Sequence, residues 1–245
     1  MKKRIGSLLF LMIRKLLSIR YRVSVHGLEN ISSVRNIIFA SKHPAMVDSL
    51  FLFGILWDIY APRVIIAEKF FSLWALYPFM KIIDAISMPQ TKQVRREEGG
   101  FHVAHEALLE SQKRLNNGEN LLLFPTGHLM RSGLVRMQNQ SGLHRLCEAC
   151  PNAEVALVDV SGLWGSVFSV GRHGGKTPNM FYALFLGLCS VLKYKFRSPW
   201  KKLPKRKVSV LFEPVTLPID RRELNVFLES WYNRRGEEPF ERAEL

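Results

Sequence analysis

Residues 37–48 read Ile37-Ile38-Phe39-Ala40-Ser41-Lys42-His43-Pro44-Ala45-Met46-Val47-Asp48. Ile37 to Ser41 are apolar or small, which suits a short buried strand. Pro44 cannot continue a strand ladder, and its fixed φ suits the first position of a helix. The residue before a proline is biased away from helical angles, so His43 is expected at the helix cap. Two residues five apart inside one helix point about 140° apart and do not face each other. A His at the cap escapes that restriction, because Asp48 can look back along the first turns toward the imidazole. A carboxylate on one ring nitrogen fixes the tautomer and frees the other nitrogen to take a proton from a hydroxyl. The same two residues also suit a plain cap with an acid in the first helical turn, and the pair alone does not choose.

A second stretch has the same design: Asn120-Leu121-Leu122-Leu123-Phe124-Pro125-Thr126-Gly127-His128-Leu129-Met130-Arg131-Ser132-Gly133. An apolar strand runs into Pro, then a Gly turn, then a cation. A Gly turn with backbone N–H groups and an Arg can cradle a phosphate.

Together the two stretches resemble the phospholipid/glycerol acyltransferase family, which includes the 1-acylglycerol-3-phosphate acyltransferases. The family signature is a His, four residues and an Asp, matched by His43 and Asp48, then a block reading Phe-Pro-Glu-Gly-Thr-Arg-Ser. Phe124, Pro125 and Gly127 match that block, while Thr126 stands in place of Glu and His128 in place of Thr. Arg131 and Ser132 match Arg-Ser with two residues inserted. Val25 to Ile31 resembles the Gly-x-Glu-Asn-Ile segment that precedes the first block, and Val155 to Leu163 the late strand ending in Gly. A Gly-x-Ile-x-Val-x-Arg pattern falls on Asp84 to Gln90, where Ile86 and Met88 agree and Lys92 offers the missing cation.

The resemblance implies an α/β acyltransferase fold and transfer of a fatty acyl group from a thioester to the hydroxyl of a glycerol-phosphate or lysophospholipid. His43 and Asp48 would be the catalytic pair. Lys42, Lys92, Pro125, Thr126, Gly127, His128, Arg131 and Ser132 would surround the substrates, with Gly127 N–H groups and Arg131 on the phosphate. Acyl-CoA or an acyl-carrier protein would be the donor. The thioester supplies the driving force, so no metal or redox cofactor is expected.

A chain of 245 residues suits one domain with a sizeable core. Its 47% hydrophobic residues exclude a disordered chain. A net charge of +14 points to an acidic partner: nucleic acid, anionic lipid or an anionic substrate. Cys147, Cys150 and Cys189 are too few and uneven for a disulfide scaffold, which favours a reducing compartment. The single Cys147-x-x-Cys150 suits a structural pair better than zinc or redox work. His102, His105 and Glu106 have a spacing that metals use, but without a zinc-protease pattern they read as a solvated face.

The first 22 residues hold seven Lys or Arg and no acid, around the apolar run Ile5 to Ile13. That run is too short to span a bilayer, and Arg14-Lys15 interrupts it without a cleavage signal. A basic helix of this kind suits the plane of an anionic membrane, and equally a packed terminal helix with a charged edge. Further on, Met180 to Leu192 is apolar or small, and 193–207 holds eight Lys or Arg and no acid, interleaved with Tyr194, Phe196 and Trp200. Aromatics among cations suit single-stranded nucleic acid or lipid headgroups. The adjoining apolar run favours the membrane.

Strands are expected at 21–25, 37–41, 63–67, 120–124, 154–160 and 208–212. Helices are expected at 49–57, 70–83 (broken near Pro78), 99–117, 142–149 and after a cap at Asp220. A polar loop is expected from Gln93 to Glu98. Strands alternating with helices give a single α/β domain with a central, mostly buried sheet flanked by helices. Residues 1–20 would form the basic amphipathic, membrane-associating helix and residues 21–245 the catalytic core. The expected location is the cytoplasmic side of a membrane, peripheral or monotopic, with no nucleic-acid partner. Thr126 in place of Glu also leaves open a non-catalytic, membrane-binding relative, and the charge alone leaves open, as the weaker alternative, a basic nucleic-acid-binding protein.

Overall fold

The strand Ile37–Ser41 is buried along its whole length, as its apolar composition demands. It forms the middle of a seven-stranded sheet in the computed structural model, which describes residues 2–31, 35–74, 76–88, 98–198, 200–201 and 203–241. The strands are β1 (Tyr21–His26), β2 (Ile37–Ser41), β3 (Arg63–Ala67), β4 (Ile86–Met88), β5 (Leu121–Leu123), β6 (Glu154–Ser161) and β7 (Arg206–Val215). The helices are α1 (Lys2–Arg20), α2 (Asp48–Tyr60), α3 (Tyr77–Ile83), α4 (Glu98–Asn116), α5 (Gly142–Ala149), α6 (Met180–Arg197) and α7 (Arg221–Tyr232).

The strand order is β1-β7-β6-β2-β5-β3-β4. β2 pairs in parallel with β5 and β6, and β3 with β5 and β4. β7 runs antiparallel to β6, and β1 parallel to β7. Five strands therefore end at one edge of the sheet, where β1 and β7 begin. In open α/β sheets, ligands bind at the carboxyl ends of the parallel strands.

Alternation sends each strand's residues to opposite faces. Phe39, Leu122 and Val158 pack with Phe10, Leu52, Leu56 and Ile83, the side of α1 to α3. Ile38, Leu121 and Leu157 pack with Leu115, Leu146 and Leu228, the side of α4, α5 and α7. Each such side chain contributes on the order of 1.5–3 kcal/mol when fully buried. The expected α/β architecture, a central sheet flanked by helices, is the one observed, and the helices cover both faces.

α1 docks on α2. Phe10 is 2% exposed and stacks on Phe53 at 5.2 Å between centroids. A Cβ at Gly6 would come within 2.4 Å of the Trp57 ring, so only glycine permits this approach. The Trp57 indole donates to the Lys3 carbonyl at 3.2 Å. Gly27, at φ +75°, ends β1 under the Phe212 carbonyl, where a Cβ would clash at 2.1 Å.

Several expectations shift, and β4 was not among the expected strands. The helix after β2 begins at Asp48 and not at Pro44, because residues 44–47 form a turn closed by Asp48 itself. Pro78 starts α3 within its first turn, where its missing N–H costs nothing, and does not break a longer helix. Glu98 already belongs to α4, while the expected loop over 93–97 lies outside the described residues. Asp220 does cap α7, accepting from the N–H groups of Arg222 and Glu223. No described helix is long and apolar enough to cross a membrane.

Candidate active site

Adjacent strands β2 and β5 end side by side, which brings together segments some eighty residues apart. Past β2, the Lys42 N–H still donates to Val158 of β6 at 3.2 Å. The His43 carbonyl then accepts from the Met130 N–H at 2.8 Å, tying the two signature loops together. The loop after β6 joins them through Met46 N–H and the Phe168 carbonyl, at 3.1 Å.

His43 Nδ1 lies 2.8 Å from Oδ2 and 3.0 Å from Oδ1 of Asp48. The Asp48 side chain is fully buried, that of His43 20% exposed. Asp48 Oδ2 also accepts from the Ala45 N–H at 3.3 Å, which closes the turn and holds the carboxylate. The imidazole lies flat on the Phe124 ring, at 4.0 Å between centroids and 19° between planes. Two constraints thus orient the ring: a carboxylate at one edge and an aromatic face beneath. In the neutral ring Nδ1–H donates to Asp48, so Nε2 is the nitrogen that can take a proton. His43 is not a helix cap, but the expected pair forms.

Several residues expected on the substrate have other partners. Lys42 is 5% exposed, with Nζ 2.7 Å from Asp159 and 3.0 Å from Glu238. Burial opposes its charge, but the two carboxylates outweigh burial and hold the ammonium above its ordinary range. Lys42 is thus the centre of a buried ion cluster. The Gly127 N–H donates to the Phe124 carbonyl at 2.9 Å, so this N–H closes a turn and is not offered to a phosphate. Gly127 takes φ +66°, which explains glycine there. Thr126 is 2% exposed, and its hydroxyl donates to the His128 carbonyl at 2.8 Å. It braces the loop from within, in the position where the family carries Glu.

Pro125 is buried beside it. His128 Nδ1 meets the Leu129 carbonyl at 3.0 Å, and Nε2 is buried without a hydrogen bond among the described residues. Arg131 is exposed, immediately after the residue that bonds His43. Ser132 is exposed and turns its hydroxyl to the Leu134 carbonyl at 3.2 Å. Lys92 lies outside the described residues.

Two contributions to the site were not legible in the sequence. Glu238 reaches Lys42 across 196 positions and accepts from the Gly162 N–H at 2.7 Å. Phe124 matched a motif, yet nothing in the sequence gave its stacking on His43. Elsewhere, burial and the neighbouring Cys150 push the Cys147 thiol up to about 11, which leaves it a poor nucleophile at neutral pH. Among the described residues no group of three or more His, Cys, Asp or Glu is arranged to hold a metal.

The Acyltransferase family's sequence pattern matches residues 22–161, more than half the chain, with both signature stretches inside. The chain belongs to the acyltransferase family. The fold of this acyltransferase is similar to the crystal structure of the 1-acyl-sn-glycerophosphate (LPA) acyltransferase PlsC from Thermotoga maritima. The TM-score is 0.60 at 18% identity, covering 96% of this chain and 76% of that chain. That likeness is one of fold. No curated protein matches the chain significantly.

Proposed function

We propose that this acyltransferase moves a fatty acyl group from an acyl thioester to the hydroxyl of a glycerol-phosphate or lysophospholipid, in phospholipid synthesis or remodelling. The His43–Asp48 contact at 2.8 Å carries the reading. Nε2 of His43 takes the proton as the acceptor oxygen attacks the thioester carbonyl. The tetrahedral intermediate then collapses, the C–S bond breaks, and the imidazolium returns its proton to the leaving thiolate. Asp48 holds the productive tautomer and stabilises the transient imidazolium. The acceptor hydroxyl is itself the nucleophile, so no acyl-enzyme forms. Exposed Arg131 suits the acceptor phosphate, and Lys92 is the alternative cation for that role. Acyl-CoA or an acyl-carrier protein is the donor.

Action at the cytoplasmic face of an anionic membrane, without crossing it, belongs to the same reading. It is supported by α1, where Leu8, Met12 and Leu16 are 55–64% exposed on one side of a basic helix. A non-catalytic role is disfavoured by the intact His43–Asp48 pair. The purified protein, given labelled acyl-CoA or acyl-carrier protein with glycerol-3-phosphate and a panel of lysophospholipids, should form one acylated product. Absence of transfer from both donors to every acceptor would reject the assignment.

A further inference from the structure

α6 is apolar, yet the fold scarcely uses it. Of its 18 residues only Ala183 is buried. Phe181, Phe185, Leu188, Leu192 and Phe196 recur at helical spacing and are 53–91% exposed. They form one stripe along the helix. Just past its end Trp200 is 96% exposed. A helix with so little packing gains little stability in water from its own propensity, so its apolar stripe calls for a partner.

Charge identifies the partner. From Asp159 to Glu213 the chain carries no intervening acid, and cations crowd the end of the helix and the segment after it. Lys193, Lys195, Arg197, Lys201 and Lys205 are exposed there. A second copy of this face would bring like charges together with no acid to offset them. Aromatic and aliphatic side chains ending in cations and a Trp match the boundary between acyl chains and anionic headgroups.

Topology then points the face. The Arg20 guanidinium donates to the Pro204 carbonyl, so the end of α1 meets the basic segment. β1 and β7 start together there, Tyr21 beside Arg206, at the edge where β2, β5 and β6 end. Near the other end of α6, the Tyr182 ring lies 6.5 Å from that of His173, in the loop whose Phe168 bonds Met46.

We infer that the exposed stripe of α6 lies in the plane of an anionic bilayer, with Lys193, Lys195, Arg197, Lys201, Lys205 and Trp200 at headgroup level. The bilayer is thereby placed beside the His43 edge of the sheet, where a lipid acceptor would reach the base without leaving the membrane. This deepens the membrane part of the proposed function. Its test needs no turnover, so a failed transfer assay and a failed binding assay are separately visible.

The experiment is flotation of the full chain with vesicles of phosphatidylglycerol mixed with phosphatidylcholine, and with phosphatidylcholine alone. The wild type should float with the anionic vesicles, less in high salt but still measurably. The triple substitution Phe185→Ser, Leu188→Ser and Phe196→Ser should lower partitioning on the order of a hundredfold, since three partly inserted apolar side chains are lost. Its circular dichroism and melting should match the wild type, because these side chains are exposed. Changing Lys193, Lys195 and Arg197 to Gln should weaken binding and flatten its salt dependence. Unchanged flotation of the Ser variant would overturn the inference. So would a wild-type dimer in solution that the same Ser substitutions split, since the stripe would then belong to a second copy.

Discussion

His43 is oriented by one carboxylate and one ring, and each contact has its own test. Asp48→Asn keeps the shape of the buried side chain but removes the charge that selects the Nδ1–H tautomer. Turnover should fall by about two to four decades, roughly 3–5 kcal/mol of barrier, with an unchanged circular dichroism spectrum. Arg131→Ala should raise the acceptor KM more than it lowers kcat, because a guanidinium on a phosphate binds ground and transition states alike. An unchanged acceptor KM would remove Arg131 from the site. Lys42→Met leaves Asp159 and Glu238 buried without their cation and should destabilise the fold by about 3–5 kcal/mol, read from the denaturant midpoint. The pH sign follows from the raised Lys42 value. Its stabilisation is fully present below the ordinary lysine range near 10.4 and is lost as pH rises through the higher folded value. His43 and Asp48 were legible in the sequence because five positions hold the whole interaction. The ion cluster of Lys42 was not legible, because its second carboxylate, Glu238, comes from the far end of the chain.

Elements with strong local patterns kept their expected places. β3 and α5 have the expected bounds, since a short apolar run and a glycine start are local signals. The start of α2 was not local. Pro44 suits a helix start, but Asp48 bonds both Ala45 and His43, and the turn this makes delays the helix by one turn. α1 could have been a packed helix or a membrane-surface one, and its two sides answer differently: Phe10 is 2% exposed and Leu16 64%. Phe10→Ala should therefore cost about 3–5 kcal/mol and release α1 to limited proteolysis. A melting temperature equal to wild type would show that α1 does not dock through this ring.

At the scale of the whole molecule, the α/β class was readable from alternating patterns, while the strand order was not. Parallel crossovers and the reversed pair β1 and β7 depend on which apolar faces meet, and sequence spacing carries no record of that. The closing of the C-terminal segment over β6 is likewise invisible in sequence. There Arg206 donates to the Glu241 carbonyl and Glu238 accepts from the Gly162 N–H. Both non-local features act at one edge of the sheet, where they back the loops that carry His43 and Phe124. What that edge does is tested most directly by transfer of a labelled acyl group from its thioester to a lysophospholipid or glycerol-phosphate acceptor, in wild type and in His43→Ala. The imidazole base predicts transfer by the wild type and a loss of about two to four decades in a folded His43→Ala protein. Wild-type turnover in His43→Ala would contradict it.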